Sequence, residues 1–321
     1  RVAALDIIEY RAPFAQQAGN GVTLWHERRA VLIKMTTDAG VCGLGEAWAP
    51  ANAVEPVLAH LATIAPRLVG CAIAEVVDAA AVVQSSTSWV DAATQSALDL
   101  ASIDAMARAA GQPLWQFGGG QPQIQVYASG GLYAQGKDPA ALAAGMASYV
   151  RAGFTSVKMK VGALALPEDL ARIAAVRAAI GDGVLIVDAL GRLDPSRAAA
   201  TIERYANAGA TAVQAPLPLD QLDDIAELAI TSCLKLWIGE DGFDVDAFDR
   251  LAALARPPLI QLNPALVGGT RAARLAQRFV SRTPTTLQCH ATAVLQAACL
   301  HLAGWGCGIA HAESIFSTGI A

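Results

Sequence analysis

The sequence predicts an α/β chain, a (β/α) barrel of the TIM type behind an N-terminal α+β unit, on three observations. From Gln123 onward, a short apolar run repeatedly ends in a polar residue and gives way to a loop and an Ala/Leu-rich helical stretch. Eight such runs fit into about 200 residues, the arithmetic of eight βα units. No GxGxxG opens any of the helical stretches, which leaves the doubly wound dinucleotide fold without support.

The N-terminal unit reads strands first and helices second. A strand is predicted over 2–10. A second pair over 30–36 and 41–47 is joined by Asp38-Ala-Gly40, a hairpin signal. Helices are expected over 54–69, 74–83 and 92–110, the last stopped by Gly111-Gln-Pro113. Gly118-Gly-Gly120 and Pro122 mark a boundary, dividing the chain into 1–120 and 121–321. The barrel strands are expected over 124–128, 156–161, 184–187, 210–213, 236–239, 259–262, 286–289 and 308–311.

Composition narrows the function. The 321 residues are 54% hydrophobic and 16% charged, with mean hydropathy +0.39. Charged residues or glycines interrupt each apolar stretch before the roughly 18–20 residues a membrane-spanning helix needs. Charge at Arg1 and Asp6 leaves no apolar signal-peptide core, so a cytoplasmic protein is expected. The net charge of −5 and the lack of a basic run argue against nucleic acid, leaving a small molecule as the expected partner. Cysteines at 42, 71, 233, 289, 299 and 307 form no CxxC pair or tight cluster, so neither zinc sites nor a disulfide framework is expected.

In a (β/α) barrel the C-terminal strand ends form the active-site mouth. The residues there are Lys158 and Lys160, then Asp188, Gln214, Glu240, Asn263, His290 and Glu313. From Lys160 onward the spacings are 28, 26, 26, 23, 27 and 23 residues, about one βα unit each, so the polar groups converge on one cavity. In Lys158-Met-Lys160 strand alternation puts both ammonium groups on one side. Crowded and partly desolvated, at least one is expected to have a lowered pKa and to serve as a base. Asp188 is free for other work, because Asp194 and Ser196 already supply the start signal of the next helix. Two carboxylates from different strands, Asp188 and Glu240 (with Asp241 as a rival), suit a hard divalent cation such as Mg²⁺.

With these residues in order, the chain resembles the enolase superfamily, specifically the mandelate racemase and muconate lactonizing enzyme family. Gly43-Leu-Gly-Glu-Ala47 and residues 97–111 look like that family's N-terminal capping domain, and Gly153-Phe-Thr-Ser-Val-Lys-Met-Lys160 looks like its KxK strand. Val187-Asp188-Ala, Gln214-Ala-Pro-Leu-Pro218, Gly239-Glu240 and residues 261–269 fall where the family has its three metal ligands and its sixth-strand motif.

The resemblance implies Mg²⁺ on Asp188, Gln214 and Glu240, with Lys160 as one acid/base and Lys158 neutralising the substrate carboxylate or enolate. It implies His290 as the opposite acid/base, Asn263 as its partner, and Glu313 donating to the carboxylate. It also implies a homo-oligomer. Asn263 stands where the muconate-lactonizing subgroup carries a lysine, which points to the mandelate racemase subgroup. Gln214 replaces a usual Glu and Asn263 a usual Asp, so metal affinity and the basicity of His290 should both fall. Family members continue past the eighth strand to complete the cap, whereas this sequence stops at Ala321.

The expected activity is proton abstraction α to a carboxylate. Dehydration of a sugar or hydroxy acid is favoured, because a His with an Asn partner suits delivery of one proton better than service as a strong base. Racemisation or epimerisation of the same acids is the alternative, and a degenerate, non-catalytic barrel is the other. Specificity is expected in a cap loop over 14–27, with Trp25 and His26 as candidates.

Overall fold

The computed structural model describes residues 1–20, 22–50, 52–82, 88–134, 137–289, 292–305 and 308–315. The N-terminal part opens with strands β1 (Val2–Gly19), β2 (Leu24–Thr37) and β3 (Cys42–Ala47), followed by helices α1 (Glu55–Leu68), α2 (Ile73–Val82) and α3 (Trp89–Ala109). The strands pair antiparallel, and their inner face, with Val31, Ile33 and Met35, packs on Val57, Leu61, Ala97 and Ala101 of the helices. The Gly43-Leu-Gly45 step permits this contact. A Cβ on Gly43 would lie 2.0 Å from the Ala101 carbonyl oxygen, and one on Gly45 2.0 Å from that of Ala97.

The long hairpin departs from the expected loop. β1 runs to Gly19 rather than Tyr10, and the register continues through Arg11↔Arg29, Ala12↔Arg28 and Pro13↔Glu27, then shifts before Ala18↔Trp25 and Gly19↔Leu24. The segment containing Trp25 is therefore paired strand. Asn20 holds the hairpin end, its Oδ1 accepting from the backbone N–H groups of Val22 and Thr23 at 2.8 Å each.

After the short α4 (Leu114–Phe117) come the first barrel strand β4 (Val126–Ser129), a two-residue strand β5 (Tyr133–Ala134) and α5 (Pro139–Arg151). The remaining units are β6 (Ser156–Lys160) with α6 (Leu166–Ile180), β7 (Val184–Asp188) with α7 (Ala198–Asn207), and β8 (Ala212–Gln214) with α8 (Leu222–Thr231). They continue with β9 (Lys235–Ile238) and α9 (Val245–Ala253), then β10 (Leu259–Leu262) with α10 (Pro264–Val267) and α11 (Gly269–Phe279). β11 (Thr285–Leu287) with α12 (Ala293–Ala303) and β12 (Ile309–Ile315) complete the series. Eight parallel strands close in chain order, β4-β6-β7-β8-β9-β10-β11-β12. No described helix is long and apolar enough to cross a membrane.

Tyr127, Ile186, Ala212 and Trp237 pack together as one apolar cluster, with the Gln261 amide donating to the Tyr127 hydroxyl at 2.8 Å. The cap is fastened to the barrel by buried carboxylates. Glu46 of β3 accepts from the Thr292 hydroxyl and from the Thr292 and Leu295 N–H groups, closing the N-terminus of α12. Asp99 of α3 does the same for α11, accepting from the Thr270 N–H at 2.9 Å and hydroxyl at 2.7 Å. β5 ties the barrel side to the hairpin through Ala18↔Ala134 and Gly19↔Tyr133.

Candidate active site

β6, β7 and β8 lie side by side with Lys160 opposite Asp188 and Asp188 opposite Gln214, so the strand register itself delivers these side chains to one place. The Lys160 ammonium meets Asp188 Oδ2 at 2.5 Å. Lys158, fully buried, reaches Glu313 Oε1 at 2.7 Å, Asp188 Oδ2 at 3.4 Å and Gln214 Oε1 at 3.0 Å. Its ammonium also sits 5.6 Å from the Tyr127 ring centroid. Six of the residues singled out in the sequence thus form one charged cluster: Lys158, Lys160, Asp188, Gln214, Glu240 and Glu313.

Gln214 is the centre of that cluster. Lysine only donates and carboxylates only accept, so the hydrogen-bond network fixes the amide: Oε1 faces Lys158, and Nε2 donates to Asp188 Oδ2 at 3.0 Å and to Glu240 Oε2. One nitrogen reaching both carboxylates means that the two converge on a common point. That spacing and the all-oxygen donor set fit a hard cation such as Mg²⁺, provided the Gln214 amide turns to offer its oxygen. Glu240 points the same way. Its burial, then the charge on Asp188, push its pKa well above the usual carboxylate range despite Lys160 and Lys158, and a cation beside it would relieve that cost. Glu240, rather than Asp241, meets Gln214; Asp241 accepts from the Leu219 N–H at 3.4 Å. No group of three His, Cys, Asp or Glu side chains suited to a metal occurs among the described residues, as expected when the middle donor is an amide.

The expectation of a lowered lysine pKa is corrected for Lys158. Burial pulls its pKa down, but Glu313 and Asp188, with Glu240 behind them, outweigh it and hold Lys158 above its ordinary value. Two cations are crowded here, but three carboxylates are crowded with them. Asp188 is displaced the other way: burial raises it, and Lys160 and Lys158 bring it below the ordinary range.

Asn263 caps α10, its Oδ1 accepting from the Ala265 N–H at 3.0 Å, while its Nδ2 has no partner among the described residues. His290 lies outside the described residues. Beside it in sequence, the Cys289 N–H donates to Glu313 Oε2 at 3.1 Å. Above the cluster opens a cavity of about 920 Å³ with Trp25 in its wall. His26 does not line it: strand alternation turns His26 outward, with its Nε2 3.0 Å from the Gln17 amide nitrogen.

Several residues of this region went unnoticed in the sequence. Arg172 of α6, nearly buried, donates to the Lys160 carbonyl at 3.0 Å, to Asp169 at 2.9 Å and to the Gly131 carbonyl at 3.2 Å, and lies 4.0 Å from the Tyr133 ring centroid. Asp169 in turn accepts from the Tyr133 hydroxyl at 3.0 Å and the Gly162 N–H at 2.6 Å. This network holds the backbone at the Lys160 carbonyl and at Gly162 just after it. Its one sequence trace is the i,i+3 Asp-Arg pair on the helix after the lysine strand. Arg28, which lines the cavity with its guanidinium over the Phe14 and Trp25 rings, left no trace.

Both parts of the chain resemble known proteins. Residues 141–318 match the family model described as enolase C-terminal domain-like, and residues 9–119 match the N-terminal domain model of mandelate racemase / muconate lactonizing enzyme. Arabinonate dehydratase of Saccharolobus solfataricus is 34% identical over 136 residues, 42% of this chain and 36% of the relative. N-succinyl-L-Arg/Lys racemase of Bacillus cereus is 25% identical over 252 residues, 75% of this chain and 66% of the relative. The chain therefore spans about a third to two thirds of the length of these relatives. Among solved structures, a member of the enolase superfamily from Polaromonas sp. JS666 superposes with TM-score 0.89 at 23% identity, covering 99% of this chain and 87% of that one. A racemase from Streptomyces coelicolor A3(2) with bound magnesium does so with TM-score 0.85 at 20% identity, covering 98% and 89%.

Proposed function

The chain belongs to the mandelate racemase / muconate lactonizing enzyme family of the enolase superfamily, and on that premise we propose that it removes the proton α to a substrate carboxylate. The observation that carries this reading is the Lys158/Lys160 pair, with one ammonium sealed among carboxylates and the other on the wall of the cavity. Bound by Asp188, Glu240 and the carbonyl oxygen of Gln214, Mg²⁺ would supply positive charge against the oxygens of the substrate carboxylate.

The two lysines have different work. Lys160, as its free amine, takes the α-proton, and the electron pair left on carbon moves onto the carboxylate oxygens. Lys158 stays cationic because of its three carboxylate neighbours, so it serves as a fixed positive charge behind the cavity wall and not as a base. Glu313 orients Lys158, and Arg172 steadies the backbone carrying Lys160.

For a sugar acid with a β-hydroxyl, the β carbon–oxygen bond then breaks, its electron pair leaves with the oxygen, and His290 protonates it to water. The enol left behind tautomerises to a 2-keto acid. Asn263 would orient the His290 ring without stabilising its cation as a carboxylate does, which suits a single proton delivery. The dehydratase similarity favours this outcome. Racemisation, with His290 returning the proton to the opposite face, is the second reading; the racemase similarity over 75% of the chain supports it.

Incubation with Mg²⁺ and a panel of sugar acids, read by 2-keto product and by α-proton exchange in D₂O, tests both. Keto product supports dehydration, and exchange without keto product supports racemisation. Neither signal on any acid would overturn the proposal.

A further inference from the structure

Most charged side chains lining the cavity are committed to a partner. Lys160 meets Asp188, Glu313 meets Lys158, Glu240 accepts from Gln214 and Asp241 from Leu219. Lys137 is different. It lines the cavity half-buried, and among the described residues its ammonium has no hydrogen-bond or ion-pair partner. Asp138, next in sequence, is not available to it, since that carboxylate caps α5 by accepting from the Ala141 N–H at 2.8 Å.

The surroundings add positive charge. Arg172 is close enough to join burial in lowering the pKa of Lys137, and the carboxylate that Arg172 meets, Asp169, is already engaged by Tyr133 and the Gly162 N–H. Arg28 brings a second cation to the same cavity from the cap. A partly desolvated lysine without a counter-ion is costly, and an incoming anion repays that cost.

The backbone of Lys137 is also anchored, its N–H donating to the Ala134 carbonyl at 3.1 Å. It follows β5, the strand pinned to the cap's β1 by Ala18↔Ala134 and Gly19↔Tyr133, so the chain enters the cavity wall here from where the cap hairpin meets the barrel. At about 920 Å³ the cavity is near the upper end of the range for small-molecule sites, with room well beyond one carboxylate and its α-carbon.

We propose that Lys137 receives a second anionic group of the substrate, at the end remote from the reacting carbon, so that the substrate is a dianionic acid, either a dicarboxylate or a phosphorylated acid. This rests on the proton-abstraction reading only for which end of the ligand meets Lys160.

Matched ligands isolate the remote group. Gluconate, glucarate and 6-phosphogluconate share a six-carbon chain and differ at the far end. Calorimetry on the whole chain in millimolar Mg²⁺ should give glucarate or 6-phosphogluconate about tenfold or more tighter binding than gluconate. The tighter of the two identifies carboxylate or phosphate. Lys137→Met should erase the preference while gluconate binding changes less than about twofold, and Lys137→Arg should restore most of it. Equal binding of all three acids, no binding of any, or a preference that survives Lys137→Met would each overturn the assignment. The outcome is separable from the activity: a Lys137-dependent preference in a chain that exchanges no α-proton would leave this site standing and remove the catalytic reading.

Discussion

The side-chain amide of Gln214 donates to Asp188 at 3.0 Å, so an N–H group occupies the position from which a metal-ligating side chain would present an oxygen. The same nitrogen meets Glu240, and two carboxylates that would otherwise repel are bridged by a neutral donor. A cation held here would have to displace that bridge and turn the amide beside the Lys158 ammonium.

Gln214→Glu removes the bridge and adds a third carboxylate beside Asp188 and Glu240. Calorimetric titration with Mg²⁺ should find affinity raised about tenfold or more over the wild type, because ligand charge count dominates binding of hard cations. Equal affinities would mean that residue 214 does not face the cation.

Lys158→Met leaves Glu313 and Asp188 facing each other without their shared cation. Breaking a buried pair in this way costs about 3–5 kcal/mol, so the variant should show a clear fall in its denaturation midpoint. Adding Glu313→Gln should return part of that loss, since one of the stranded charges is then gone. A single variant as stable as the wild type would contradict the packing of Lys158 among carboxylates.

The cap clamps carry a pH signature. Burial raises the pKa of both Glu46 and Asp99 above the ordinary carboxylate range, although the helix N–H groups and hydroxyls that they accept from pull the other way. A carboxylate with a raised folded-state pKa binds its proton more tightly folded than unfolded. Its contribution to stability is full below the unfolded value and is lost as pH rises through the folded one. Wild type should therefore gain stability relative to Glu46→Gln as pH falls from 7 to about 5. Denaturation curves for the two chains that stay parallel across this range would argue against a buried, charged Glu46.

The barrel was legible because each strand is a short apolar run closed by a polar residue, and the interval between those closures equals one βα unit. Lys160, Asp188, Gln214 and Glu240 could be grouped from spacing alone; adjacent strands then set the first three side by side, and Glu240 reaches Gln214 from the turn after β9. The hairpin beyond Tyr10 was not legible, since Pro13 and the irregular register before Ala18 break the alternation that marks a strand, and only the partner strand supplies the rest. Glu46 and Asp99 act across 246 and 171 residues of chain, through contacts that no local pattern encodes. The raised pKa of Lys158 was missed for a related reason: the sequence puts Lys160 two residues away, but only barrel closure brings Glu313 against it.

The central claim is that Lys160 takes a proton from the carbon next to a carboxylate. The direct measurement is wash-in of deuterium at that carbon by proton NMR, in D₂O with Mg²⁺, for the wild type and Lys160→Ala on any acid that the wild type binds. Exchange by the wild type and its loss by at least about a hundredfold in Lys160→Ala, with the variant's circular dichroism unchanged, is the predicted result. Exchange that persists at the wild-type rate in Lys160→Ala would contradict it.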